Sequence, residues 1–531
     1  MNDKIGFKHR SLIAATLAGS LIMGFGANAM ADSTDDIVNA LIAKGVLTEE
    51  EGALLMKGRE GEKEAAAAKK ETAVSAKFKD GLSFESGDGK FKAQINGRVH
   101  ADYRFFDHND SSNNPALTIP TTGLAGAALT AANARNALVA NSIPNSGSVT
   151  DTFDIRRARL GFKVAFKDYY EGEVVADLGN TTTLDVGYLN VAWWKPVQFR
   201  FGQFKMPMNL EELTSSNNID FMERSFVNSL APAKEIGVMV HGQPFTGVTY
   251  ALAASNGNAK NAETDAREDG KDIIGRVTAN FAEIMGNKEM VLHAGASFSQ
   301  GDTPEGTVGS AGRTEGRGAT FFRAPVLANS AATATGGTFS GIDRSRVGLE
   351  GIVAYGPFKV QSEWMQQNNE FSTQTAVGGA KRKYDLDTEN WYAEALWTIT
   401  GENYADAYKG GAFGGLKPKN DFDPTNFKGG LWEVGVRYSE FDASDYNAAG
   451  IGQGVVGAAD TKITTAAAGF AKAEAWTLGL KFLPTANMRF MLNYVATDFN
   501  DVIGGATGGV IINQKRVDDE KAVIMRAQWM F

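Results

Sequence analysis

Arg157, Arg159 and Lys163 occupy odd positions of one short segment, with no acid at the odd position between them. If the segment is extended, alternate side chains share a face, so three cations form one stripe. Such a stripe repels itself unless an anion or a neighbouring carboxylate compensates it. Its natural chemistry is reversible capture of anions by guanidinium and ammonium donors. Glu171 and Glu173, in the next segment, are the nearest internal counter-charges. Catalysis has a poorer basis. Past the first thirty-one residues the histidines are His100, His108, His241 and His293. His293 and Ser297 share a strand face but are four residues apart, about 13 Å at 3.3 Å per residue, too far for a hydrogen bond. Asp265, Glu268, Asp269 and Asp272 surround Gly270, yet their spacing does not fit a calcium loop. No enzyme activity, cofactor or metal is expected.

The elements that must carry these charges are long strands. Residues 91–106 alternate apolar or small side chains (Phe91, Ala93, Ile95, Val99, Phe105) with polar ones (Lys92, Gln94, Arg98, His100, Arg104). A soluble strand has about five or six residues, whereas a tilted strand crossing a bilayer needs about nine to eleven. Sixteen candidates recur, near 91–106, 153–167, 170–178, 184–194, 197–204, 236–243, 248–255, 272–281, 291–299, 344–355, 358–367, 390–399, 431–439, 475–483, 487–496 and 521–531. The fold class expected is all-β, a sixteen-stranded antiparallel transmembrane barrel. Connections such as Asp168-Tyr169, Lys195-Pro196 and Gly356-Pro357 are short, and those between are mostly long. Short inner turns and long outer loops are the habit of such barrels. Two connections disobey: 179–183 is a short outer loop, and 400–430 is a long inner one. The second implies either a folded periplasmic excursion or a miscounted strand.

Both ends suit export. Lys4, Lys8 and Arg10 precede an apolar run from Leu12 to Phe25, then small residues at Ala27, Ala29 and Ala31. That is the layout of a signal peptide over 1–31. Residues 32–77 are expected to form a periplasmic helical segment and linker, with Thr48 and Glu51 as a capping box. Residues 78–531 then make the barrel. The last ten residues alternate again and end at Phe531, as in outer-membrane proteins of Gram-negative bacteria. There is no cysteine, and the net charge of -9 argues against nucleic acid as a partner.

Sorting each strand by its apolar face turns fourteen bases inward: Lys92, Arg98, Arg104, Arg157, Arg159, Lys163, Arg200, Arg276, Arg346, Lys359, Arg437, Lys481, Arg489 and Arg526. The inward acids are nine: Asp102, Glu171, Glu173, Asp177, Asp272, Glu350, Glu363, Glu394 and Glu433. The expected lumen is therefore positive inside a negative chain. A cationic wall within a low-dielectric shell concentrates anions. The competing reading is a lumen whose charges pair with one another and merely keep the pore wet, which makes the chain a weakly selective porin for small organic acids or other nutrients.

The stretch from Arg200 to Gly242, which includes Gln203–Lys205, Thr214-Ser215-Ser216 and Phe221-Met222-Glu223-Arg224-Ser225, resembles the phosphate- and polyphosphate-selective porin O/P family. The likeness continues in Arg156–Phe162, Thr400-Gly401-Glu402, Trp432–Ser439 and Asn487–Val495. It implies an outer-membrane homotrimer, embedded in lipid and lipopolysaccharide, that passes small anionic solutes by diffusion. It also implies that the third outer loop, about 205–235, folds into the barrel and narrows it. Within 206–234, Glu211, Glu212, Asp220 and Glu223 outnumber Arg224 and Lys234. Lys205 and Arg224 are the loop cations expected to face the ion path. The full expected path comprises Lys92, Arg98, Arg104, Arg157, Arg159, Lys163, Arg200, Lys205, Arg224, Arg276, Arg346, Lys359 and Arg437.

Overall fold

The computed structural model describes residues 42–45, 48–51, 53, 57, 74–78 and 81–531, apart from 109, 116–118, 145–148, 180–181, 258–260, 262–270, 304–305, 328–335, 377–379, 452–462, 505–507 and 513–514. Contacts divide the chain into two units, residues 1–75 with 86–89, and residues 76–85 with 90–531. In the first unit, the Thr48 N–H donates to Glu51 Oε2 at 3.0 Å and the Glu51 N–H donates to Thr48 Oγ1 at 3.2 Å. This is the reciprocal capping box expected there. The expected signal peptide and most of the expected helical segment lie outside the described residues.

Sixteen long strands build the second unit: β1 (Phe91–Asp107), β2 (Thr152–Phe166), β3 (Tyr170–Asp177), β4 (Thr183–Trp194), β5 (Val197–Lys205), β6 (Lys234–Phe245), β7 (Val248–Ser255), β8 (Asp272–Asn280), β9 (Met290–Thr303), β10 (Gly336–Tyr355), β11 (Phe358–Ala376), β12 (Lys381–Thr398), β13 (Leu431–Asp442), β14 (Ala468–Thr485), β15 (Met488–Val502) and β16 (Asp519–Met530). Each pairs antiparallel with the next, as Arg98 opposite Arg159 and Val174 opposite Phe162 illustrate. Closure comes from β16 on β1, where Met525 lies opposite Tyr103. A closed barrel leaves no edge, so every backbone polar group facing lipid is paired. Phe162, Leu189, Phe201, Leu349 and Leu478 are exposed on the outer face, and the charged partners between them are turned inside.

Several strands, β10 to β12 and β14 among them, are longer than the alternation predicts. β10 begins at Gly336, β11 runs to Ala376, and β12 begins at Lys381. The ladder continues there, pairing Ser372 with Lys383 and Glu370 with Asp385. Beyond the lipid both faces of a strand meet water, so the apolar half of the pattern disappears while the hydrogen bonding persists.

The segment between β5 and β6 crosses the lumen rather than looping into solvent. Met206, Met208, Leu210, Phe221, Met222, Val227 and Leu230 are buried. Glu363 of β11 accepts the Leu210 and Glu211 N–H groups at 2.7 and 2.8 Å. Asn493 of β15 accepts the Met222 N–H at 2.8 Å, and Asn390 of β12 donates to the Phe226 carbonyl at 2.9 Å. Arg526 of β16 donates to the Met222 carbonyl at 2.7 Å. Two further segments enter from opposite mouths. From the outer loop after β9, Phe321 and Phe322 pack on Phe441, with ring centroids 5.1 and 5.4 Å away. The long connection after β12 is a folded excursion that turns back into the barrel. Its Tyr404, Ala407 and Phe413 join Leu210, Ile352 and Leu396 in one apolar cluster.

The tip residue Phe221 requires bare backbone on the wall. A Cβ on Gly479 of β14 would lie 2.8 Å from Phe221 Cε1, and one on Gly435 of β13 would lie 3.2 Å from Cζ. Gly479→Ala therefore displaces the ring and loosens the crossing loop, leaving the outer face untouched. The expected result is a larger, noisier single-channel conductance with unchanged insertion into planar bilayers. A conductance identical to the unmodified channel contradicts this packing.

Candidate functional site

The acids of the crossing loop are what hold it. Glu223 accepts from Arg156 Nε at 2.9 Å, Arg104 Nη2 at 3.0 Å and Arg526 Nη2 at 3.2 Å. Burial works against its ionisation, yet Arg156, Arg526 and Arg317 together outweigh it and hold the carboxyl well below the usual carboxylate range. Glu211 pairs with Arg437 of β13 at 3.1 Å, and Asp220 pairs with Lys359 of β11 at 2.6 Å. Glu212 faces Arg224 at 3.1 Å and Lys205 at 3.7 Å. The loop's negative balance is thus consumed in docking, and wall cations are consumed with it.

A cavity of about 870 Å³ lies against β1 to β8, bounded by the crossing loop and by Gly410 and Ala412 of the excursion after β12. Nine cations line it: Arg98, Arg157, Arg159, Lys195, Arg200, Lys205, Arg224, Lys234 and Arg276. Three carboxylates oppose them, Glu173, Asp185 and Glu212. Asp185 lies between Arg159 and Lys234, 2.7 Å from each. Arg276 pairs with Glu350 at 2.5 Å and also donates to the Gly411 carbonyl at 2.8 Å, tying the excursion to the wall. Arg98, Arg157, Lys195 and Arg200 form no ion pair with a described carboxylate. Arg98 instead donates to Ser216 Oγ at 3.1 Å, and Arg157 keeps Nε and Nη1 buried without a partner.

Of the expected path, Arg98, Arg157, Arg159, Arg200, Lys205, Arg224 and Arg276 come together on this cavity. Six are placed elsewhere. Arg104, Lys359 and Arg437 face inward but are covered by the crossing loop they bind. Arg346 is buried against Asp272 at 3.4 Å. Lys163 pairs with Glu173 at 3.3 Å beyond the cavity rim, and Lys92 reaches Asp168 at 2.9 Å in the first inner turn. The acidic cluster near Gly270 lies outside the described residues except for Asp272, which binds Arg344 at 2.6 Å.

Strict alternation missed Arg156 and Asp185 because each is the extra residue of a β-bulge. In β2, His100 faces Arg157 while Ala101 faces Ile155, which turns Arg156 and Arg157 inward together. In β4, Val175 faces Val186 while Ala176 faces Leu184, which adds Asp185. A signal was available: unbulged, Arg156 and Asp185 face lipid, at a cost of about 2–4 kcal/mol near the midplane for a base, less for an acid. Lys195 and Lys234 sit at a turn and a strand start, where alternation has no phase.

The family described as phosphate-selective porin O and P matches residues 141–531. The chain belongs to this family. Porin O of Pseudomonas aeruginosa is 25% identical over 489 residues, covering 86% of this chain and 92% of that protein. Among solved structures, an anion-selective porin from Comamonas acidovorans gives a TM-score of 0.45 at 12% identity, covering 83% of this chain and all (100%) of that one. The outer membrane channel DcaP of Acinetobacter baumannii gives 0.43 at 11%, covering 84% and 99%. The protein is an outer-membrane porin of a Gram-negative bacterium, a passive channel and not an enzyme.

In this porin, three wall arginines converge on Glu223. Removing one partner from a buried charge cluster costs about 3–5 kcal/mol, because the remaining charges stay buried. Glu223→Gln is expected to lower the temperature at which the folded barrel unfolds on a heated gel and to raise conductance by freeing the loop. Unchanged values for both rule out the clamp.

Proposed function

We propose that this porin is a diffusion channel with a preference for small anions, inorganic phosphate among them, and that the cavity on β1 to β8 is its narrow passage. The observation that carries this reading is the balance of nine cations against three carboxylates around the cavity, with four of the cations unpaired among the described residues. Inside a low-dielectric wall that excess raises the local concentration of anions. Arginine and lysine donors replace part of an anion's hydration, and the distribution of donors over several strands lets the ion leave as readily as it enters. The family relation supplies phosphate as the solute to test first. In this reading the ion path runs along Arg98, Arg157, Arg159, Arg200, Lys205, Arg224 and Arg276, joined by Lys195 and Lys234. The assembly is a homotrimer seated in outer-membrane lipid and lipopolysaccharide.

The test is the reversal potential of single channels in a potassium chloride gradient. The expected sign is that of chloride selectivity, and cation selectivity overturns the reading. Arg157→Glu reverses a charge without a carboxylate partner and is expected to reduce the chloride preference several-fold. Lys288→Glu, in the exposed inner turn after β8, is expected to change it little. Equal effects at the two positions contradict the proposed passage.

A further inference from the structure

The cavity carries a feature that a hydrated inorganic ion does not use. The Arg200 guanidinium lies over the Tyr188 ring, 4.3 Å from its centroid, and 5.8 Å from that of Phe204. Met239 stands directly opposite Arg200 across the β5–β6 ladder. Tyr188, Phe204, Met239 and Ala251 all line the cavity, and they belong to or pack on one apolar cluster beneath the crossing loop. Tyr188 is held in place by its hydroxyl, which donates to Glu173 at 2.8 Å. Arg200 makes no ion pair with a described carboxylate, and its Nε is buried without a partner.

A guanidinium held over a ring keeps donors available for an oxyanion while the ring screens it in part from water. Apolar wall beside such a group offers nothing to phosphate, whose hydration shell it displaces without replacement. The same wall favours an anion with a hydrocarbon body, because burying that body removes apolar surface from water. Methionine suits the task, being flexible and able to contact ring edges of different shape.

Resting on the anion reading above, we propose that Arg200, Tyr188, Phe204, Met239 and Ala251 form a subsite for organic oxyanions, binding the charged head at Arg200 and an aromatic or aliphatic body against the apolar wall. The ligand class is aryl or alkyl phosphomonoesters and carboxylates. Phenyl phosphate and inorganic phosphate serve as a matched pair of probes, each titrated as a blocker of chloride current through the full-length channel in a planar bilayer.

Phenyl phosphate is expected to block at concentrations on the order of tenfold below those of inorganic phosphate, the effect of a modest apolar contact. Met239→Ser and Tyr188→Ala are each expected to bring that ratio towards one, and Arg200→Gln to weaken block by both probes. Equal block of the unmodified channel by the two probes overturns the subsite, and so does a ratio that survives both substitutions. Because the first comparison uses the unmodified channel, it does not depend on the variants folding. A channel that is cation-selective and blocked by neither probe overturns the anion reading itself. Normal inorganic phosphate block without a phenyl phosphate advantage overturns the subsite alone.

Discussion

Glu223, reached by Arg104, Arg156 and Arg526 within 3.2 Å, is where the architecture is decided. A loop that enters a lumen gives up its water, and only strong partners on the wall offset that loss. Here the partners are arginines and lysines on at least four strands, and the loop supplies Glu211, Asp220 and Glu223 to meet them. An acidic loop in a cationic barrel is therefore a docking surface. The charge that remains for solutes is whatever the docking leaves unpaired.

That remainder lies to one side. The outer segment around Phe321 and the excursion around Phe413 pack chiefly against β9 to β15, while the crossing loop docks on both sides, at Arg104 and Arg156 as well as at Arg437. Arg437 shows the consequence: it is inward-facing, yet it is closed between Glu211 and Glu315 at 3.1 and 2.6 Å. The wall along β1 to β8 keeps Arg98, Arg157 and Arg200 without carboxylate partners among the described residues. On the proposed reading, an offset passage places solutes against one wall, where cations from neighbouring strands follow one another.

Lipid imposes the other constraint. Every outward position must be apolar across the hydrocarbon, so a strand that needs a charge inside at the outward phase has to break its own alternation. The bulges at Arg156 and Asp185 do this in β2 and β4. Arg156 thereby reaches Glu223 of the crossing loop, and Asp185 reaches the cavity. Asp185 uses its position to hold Arg159 and Lys234 at 2.7 Å, fixing two cations while removing part of their field.

Strand number and closure were legible from local pattern, because alternation against lipid repeats at every residue of every stave. Phe91 to Phe106 is enough to recognise a spanning strand, and Arg157 with Arg159 is enough to see a cationic face. The long 400–430 connection was visible as an anomaly, although nothing in its composition said that it returns to the lumen. Which cations face solute was not legible. Arg104, Lys359 and Arg437 have the same local signature as Arg98 and Arg200, and differ only in whether a carboxylate from a distant loop reaches them. That difference depends on how the loop crosses and on the bare backbone of Gly435 and Gly479 that admits Phe221. Composition and periodicity determined a membrane barrel of sixteen strands, because each strand meets the same two solvents. The passage itself was decided by tertiary structure, because pairing between charges hundreds of residues apart leaves no trace in either strand alone.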